Sequence, residues 1–290
     1  MPGPTSRSPE ACDAAGIRAL GPGDLADFLD LTATDPVTNV FVEHRARTTN
    51  LDPRWMGGRI FGRYADGRLV AACHAAANLV PVCCTDDDAR AFARMLLERR
   101  VDVATVVGPA DAVAVMWDLL APRWGPGREV RADQPHLVID RPPAVAPDPL
   151  VRRSRPDEID AVYPASVAMY TEEVGVSPEI GGRDFYRARV QQLIARGWSF
   201  ARFDEAGRVV FKADVAAASP HAAQIQGVWI APEHRGTGLA AGCVAAVAEQ
   251  VLLDVAPVAS LYVNAWNTPA RRAYQRAGFT ETTRFTTVLM

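Results

Sequence analysis

No run of about 18 uncharged apolar residues occurs in the 290-residue sequence, which argues against a membrane-spanning helix. The opening MPGPTSRSPEACDAAG lacks the apolar centre of a secretion signal, so the expectation is a soluble, cytoplasmic chain with no membrane partner. CxxC pairs are missing too. Five cysteines, at 12, 73, 83, 84 and 243, are odd in number and suit reduced thiols better than a disulfide framework. Cys83 and Cys84 leave two readings open, a redox pair or two idle thiols. The histidines at 44, 74, 136, 221 and 234 show no metal-ligand spacing, and no metal is expected. Neither sign of charge is gathered into a block: 31 Lys+Arg face 34 Asp+Glu, a net charge of -3. That balance excludes a broad nucleic-acid or anionic-membrane surface and leaves room for a local anion site.

Hydrophobic residues make up 49% of the chain and charged ones 22%, enough apolar material for two packed cores at this length. The stretch RPPAVAPDPL, residues 141 to 150, holds four prolines and is expected to run extended between two units. Similar openings stand on either side: IRALGPGDLADF from Ile17 and VRRSRPDEIDAV from Val151. Each reads as a short strand, a Pro-marked turn with an acidic residue, and the start of a helix.

After the second opening, ASVAMYTEEVGVSPE reads as a helix ending near Gly175. FYRARVQQLIARG reads as another, with Phe185, Val190, Leu193 and Ile194 on one apolar face. Then SFARFDEAGRVVFKADVAAAS predicts two strands turning at Glu205-Ala206-Gly207, and AAQIQGVWI a third. A helix LAAGCVAAVAEQVLL, a strand SLYVNAW, a helix TPARRAYQRAG and a closing strand follow. Helices, then a meander, then alternating strand and helix predict a mixed α/β (α+β) sheet. The first half has comparable pieces, and its Gly108-Pro109 corner, with no Arg and one Gly, is a poorer anion cradle.

The stretch HRGTGLAAG, residues 234 to 242, sits at a strand-to-helix junction. A helix start presents unpaired N–H groups and the positive end of the helix dipole. Glycines let a phosphate approach the backbone, and Arg235 adds a cation, so the chemistry suggested is pyrophosphate binding. The alternative is an ordinary tight turn with a solvated Arg. A nucleotide-binding loop is disfavoured, because the stretch lacks the Lys-Ser/Thr of a P-loop and the three-glycine dinucleotide spacing.

VWIAPEHRGTGLA followed by LYVNAWNTPARRAYQRAGF resembles the Gcn5-related N-acetyltransferase (GNAT) family. The family series of Arg or Gln, two residues, Gly, one residue, then Gly or Ala is matched by Arg235, Gly238 and Ala240. A downstream series is matched by Asn267, Ala270, Tyr274 and Gly278-Phe279. The resemblance covers about residues 148 to 290, and the whole chain is similar to actinobacterial tandem acetyltransferases in which only the C-terminal copy keeps the cofactor motif. With the proline stretch at 141–150 as the linker, the expected division is a tail without order over 1–13, a unit over 14–140 and a unit over 151–290, which the resemblance makes a degenerate GNAT-like domain and a GNAT acetyltransferase domain.

The resemblance further implies acetyl-CoA as acyl donor and a primary amine, on a small molecule or peptide, as acceptor. The pyrophosphate would lie on the backbone of Arg235, Gly236, Thr237, Gly238, Leu239 and Ala240. The pantetheine arm would run along Val228, Trp229 and Ile230, where two strands splay apart and a backbone N–H polarises the thioester carbonyl. Asn267 is a pantetheine or backbone contact. Tyr274 matches the family's proton donor, with a core-packing aromatic as the other reading. Many family members place a Glu on the strand where this chain has Gln224 and Gln226, so the base is unassigned. Glu172 and Glu173 are the first candidates, as base or as binders of a cationic amine, against the reading that they are merely solvated. His221, against the reading of an exposed turn residue, or a water relay are further options, and His234 is expected to flank the phosphates without a catalytic part. A non-catalytic acyl-CoA-binding regulatory module is the competing function, and either a monomer or a homodimer fits.

Overall fold

The computed structural model describes residues 12–13 and 15–290, so the tail expected over 1–13 lies outside the described residues apart from Cys12 and Asp13. The chain packs into two units: residues up to Gln134 together with Thr283–Met290, and Pro135–Thr282.

The first unit runs β1 (Ile17–Ala19), α1 (Leu25–Thr32), α2 (Val40–Thr49), α3 (Pro53–Met56), β2 (Arg59–Ala65), β3 (Arg68–Ala75), β4 (Asn78–Val82), α4 (Asp86–Leu97), β5 (Thr105–Pro109) and α5 (Ala110–Trp124). It also holds the start of β6 (Glu129–Ile139). Strands β1 to β4 are antiparallel neighbours, and β5 lies parallel to β4. Residues Phe285–Leu289 at the end of the chain pair antiparallel with β5. Within this segment, the Thr286 hydroxyl donates to the Ala132 carbonyl and the Thr287 hydroxyl to Gln134 Oε1. Both thiols of Cys83 and Cys84 are pushed up by burial, Cys84 to about 12, which holds them protonated near neutrality.

The second unit contains the end of β6, then β7 (Arg152–Arg153), α6 (Ile159–Val174), α7 (Arg183–Ala195), β8 (Ser199–Phe203), β9 (Val209–Ala218), β10 (Ala223–Ile230), α8 (Leu239–Asp254), β11 (Ala259–Tyr262), α9 (Thr268–Ala277) and the start of β12 (Thr280–Leu289). Its strand order is β6-β11-β10-β9-β8-β7, with β10 and β11 parallel and the rest antiparallel. The small residues of α8 explain its placement. Cys243, Val244, Ala245, Ala248 and Val251 are buried against Phe211, Val215 and Ile225, and short side chains let the helix lie close to the sheet. Gly175 ends α6 in the left-handed conformation at φ 80°. In α7, Val190, Leu193 and Ile194 are buried as expected, but Phe185 is 83% exposed because the first turn of the helix projects past the core. The proline stretch carries no helix or strand; it bends at 141–142 and 144–145, turns at 149–150 and is strapped onto this unit: Ala144 N–H donates to Ala277 O, Asp148 N–H to Gly242 O, and Arg202 to Asp148.

The repeated opening seen in the sequence is repeated in detail. Arg18 donates to both carboxylate oxygens of Asp24 and stacks on Tyr64, 4.5 Å from the ring centre; Arg152 does the same with Glu158 and Phe203, at 4.9 Å. In each case the same carboxylate also caps a 3-10 turn, at Gly21 and Arg155.

Candidate functional site

Strand β10 determines the site. It pairs with parallel β11 only at Ala223↔Ala259 and Gln224↔Ser260, whereas β11 stays paired to β6 as far as Tyr262↔His136. From Ile225 onward the two parallel strands part, and the backbone edge of Val228, Trp229 and Ile230 faces the opening. The parting coincides with two irregularities in the pairing of β10 with β9, the first between Gln224 and Ile225, where β9 spends the extra residue. The second is a bulge: between Gln226 and Trp229, β10 spends one residue more than β9, and Gly227 takes φ 60°, a conformation favouring glycine.

The chain then turns through Pro232–His234 into HRGTGLAAG. Gly236 and Gly238 have φ of 76° and 85°, and no atom lies within 4 Å of where a Cβ would stand at either. Gly238 is the N-cap of α8, no side chain caps it, and the first turn holds no acidic residue. The N–H groups of Leu239, Ala240 and Ala241 therefore point out of an uncapped helix end. Thr237 turns its hydroxyl back to the His234 carbonyl, at 2.8 Å. A donor set of backbone amides at a positive helix end, with no carboxylate in that turn, fits a pyrophosphate.

In the first unit the helix that follows the corresponding strand is α4, not the one behind Gly108-Pro109. Its start is filled. Thr85 accepts from Asp88 N–H, Asp88 accepts from Thr85, and Asp86, Asp87 and Asp88 all stand in the first turn. Three carboxylates and a closed capping box oppose an anion there.

Glu172 and Arg235 are brought together. Arg235 Nη2 donates to Glu172 Oε2 at 2.7 Å and its Nε to Ile230 O at 2.9 Å, while Trp229 Nε1 donates to Glu172 Oε1 at 3.0 Å. The pair is half-exposed. Glu173 lies near Tyr274, and its charge adds to burial, the larger cause, in pushing the Tyr274 hydroxyl above its ordinary value. Tyr274 is 7% exposed, its ring tilts against Phe279, and its hydroxyl makes no hydrogen bond among the described residues. Asn267 caps α9, accepting from Ala270 N–H at 3.3 Å. His221 stands in the turn before β10, its N–H on Ser219. Among the described residues no group of three or more His, Cys, Asp or Glu could hold a metal ion, and no helix is long and apolar enough to cross a membrane.

Two residues the sequence reading passed over lie against the bulge. Lys212 is fully buried on β9 and donates to Asp214 Oδ2 at 2.6 Å. The signal was in FKAD, where alternation puts two charges on one face of a strand whose other face is apolar.

Residues 167–279 match the acetyltransferase (GNAT) family model, and residues 58–162 match a domain of unknown function (DUF4081). No curated protein matches the chain. Solved structures share the fold over nearly the full length. A GCN5-related N-acetyltransferase from Sphaerobacter thermophilus is 17% identical with a TM-score of 0.58, covering 93% of each chain. A GNAT-family acetyltransferase from Colwellia psychrerythraea is 13% identical with a TM-score of 0.54, covering 94% of this chain and 99% of its own. A tandem GNAT protein from the clavulanic acid biosynthesis pathway is 17% identical with a TM-score of 0.55, covering 94% of this chain and 98% of its own. The parted parallel strands and the glycine-led helix thus sit in a GNAT acetyltransferase domain carried by the second unit, over residues 167–279. The family's chemistry is acyl transfer. The match to the tandem protein extends the fold likeness to the first unit.

Proposed function

We propose that the second unit transfers an acetyl group from acetyl-CoA to a primary amine, on a small molecule or a peptide, by direct attack within a ternary complex. The observation that carries this reading is the conjunction of the uncapped α8 start with the gap between β10 and β11. The amides of Leu239, Ala240 and Ala241, with open space at Gly236 and Gly238, hold the pyrophosphate. The unpaired edge of Val228, Trp229 and Ile230 takes the pantetheine arm in the manner of an added strand. Acetyl-CoA supplies the activated carbonyl, and a backbone N–H at the bulge polarises it. Tyr274, buried and kept protonated, gives its proton to the departing thiol sulfur. Asn267 holds the start of α9 in register beside the gap. The first unit, whose equivalent helix start is closed by its own acids, serves as a partner domain without a cofactor site.

Calorimetry of the full chain with acetyl-CoA, followed by an assay of free thiol release over primary amines, tests this. One-to-one binding with amine-dependent release supports it. Binding without release from any amine moves the chain to a non-catalytic acyl-CoA-binding module, and a folded chain that does not bind overturns the cofactor assignment.

A further inference from the structure

The chain has 30 arginines and one lysine, and that lysine, Lys212, is fully buried at the bulge of β10. On β9, Phe211, Ala213 and Val215 pack under α8. Lys212 and Asp214 alternate with them and so face the side covered by α6 and α7. There they stand opposite Trp229 and Gln226 in the ladder. A Cβ at Gly227 would lie 3.4 Å from both Asp214 Oδ2 and Lys212 Nζ and 3.0 Å from Met169 Cε, so the glycine admits the pair. Tyr186 of α7 is near enough to feel the Asp214 charge, which adds to burial in raising its hydroxyl, and Tyr170 packs edge-on against Tyr186 at 5.5 Å.

A buried ion pair adds little to stability over apolar residues of the same volume, so packing alone gives no reason for this one. Its geometry does. Arginine binds carboxylates through both oxygens, as Arg18 and Arg152 do here. Lysine, a point donor, takes only Oδ2 of Asp214 and leaves Oδ1 without a partner among the described residues, on a side chain that keeps 7% of its surface exposed. The carboxylate is thus fixed by one oxygen and open at the other, beside the point where β10 leaves β11.

Resting on the acyl-transfer reading above, we propose that Asp214 is the acceptor-side carboxylate: its Oδ1 binds the ammonium group of a primary amine and takes its proton, with Lys212 as the positioning residue. The ammonium gives one proton to Oδ1. The freed nitrogen lone pair attacks the thioester carbonyl carbon, the C–N bond forms and the C–S bond breaks. Sulfur takes a proton from Tyr274. The second proton shed by nitrogen passes to solvent, Asp214 then releases its own proton there, and Tyr274 is reprotonated from solvent, so that one proton is set free per turnover.

The test uses the full chain, acetyl-CoA, and butylamine, putrescine, glucosamine and a lysine-containing peptide as probes. Asp214→Asn lowers kcat/KM for the amine by about 100-fold or more while the Kd for acetyl-CoA is unchanged. Because Asp214→Asn leaves Lys212 buried without its counter-charge, the double variant Lys212→Met with Asp214→Asn is measured beside it. The double variant recovers the wild-type Tm and still fails to acylate the amine. Recovery of amine turnover in the double variant overturns the proposal and leaves the pair a packing feature. Acetyl-CoA binding by the wild type with no turnover of any of the four amines also overturns it, and leaves the cofactor site standing. Loss of acetyl-CoA binding by the wild type removes the reading on which the proposal rests.

Discussion

Arg235 and Glu172, 63 residues apart in sequence, form an ion pair at 2.7 Å that ties the turn before α8 to the last turn of α6. The cation that would sit beside a bound phosphate is shared with a carboxylate, so the two anions compete for it. Glu172→Gln removes the competitor. Because the pair is half-exposed and worth little in water, acetyl-CoA affinity is expected to rise by up to about fivefold. Titration calorimetry at low salt measures this. Turnover also separates the roles: a fall in kcat of about 100-fold in Glu172→Gln would make Glu172 the base instead.

Gly238 offers a sharper probe of the cradle. Nothing surrounds its missing Cβ, and its φ of 85° is strained for any other residue. Gly238→Ala carries that strain alone, whereas Gly238→Glu adds a carboxylate at the helix start. The expected result is loss of acetyl-CoA affinity by more than about tenfold in Gly238→Glu relative to Gly238→Ala, with similar Tm values. Equal affinities in the two variants would take the phosphate away from this turn.

Tyr274→Phe deletes one hydroxyl from a well-packed ring. If that hydroxyl protonates the leaving sulfur, kcat falls by about 100-fold and acetyl-CoA affinity is kept. Burial and Glu173 hold the hydroxyl protonated beyond its ordinary pKa of 10.0, so wild-type kcat should show no decline from Tyr274 ionisation between pH 8 and 10. A Tyr274→Phe enzyme as fast as wild type would return the ring to core packing with Phe279.

Acid stability of the first unit is expected to depend on His74. Burial, the larger cause, and the neighbouring Arg45 push its pKa from 6.5 down to about 4, although Nδ1 is bonded to Asn78 O. The unfolded chain therefore binds a proton that the folded chain refuses between pH 6.5 and pH 4. Stability is lost as the pH falls through that window, by up to about 3 kcal/mol. Thermal melts of His74→Gln against wild type check this: the variant's Tm should change less between pH 6.5 and 4, and parallel curves would place the acid sensitivity elsewhere.

The sequence already showed what lies in consecutive residues. The small-residue helix α8, its glycine start, the cap at Gly175 and the succession of strands and helices along the second unit follow from local period and turn chemistry. The repeated opening was visible as IRALGPGD and VRRSRPDE, and the structure adds the arginine–carboxylate pair that both copies build from it. What the sequence hid was set by pairing at a distance. Glu172 meets Arg235, and Lys212 meets the bulge at Gly227, only because β9 and β10 are neighbours beneath α6. The first unit's counterpart of the cradle is Thr85–Asp88 rather than Gly108-Pro109 for the same reason: equivalence follows strand order, which local composition does not carry. Phe185 fits the helical period of α7 and is nonetheless exposed, because the period gives a face and not where the core ends.

The placement of the last strand has a consequence for how the protein is made. The first unit is closed by Phe285–Leu289 against β5, and the second draws residues 135–139 from ahead of the proline stretch. Domains emerging from a ribosome ordinarily fold in order, the N-terminal one first. Here the first unit must wait, with the side of β5 that receives β12 unpaired, until residues 285–289 have been synthesised. Its completion therefore follows the synthesis of the second unit rather than preceding it, so the order in which the two cores close is the reverse of the order in which their first residues appear.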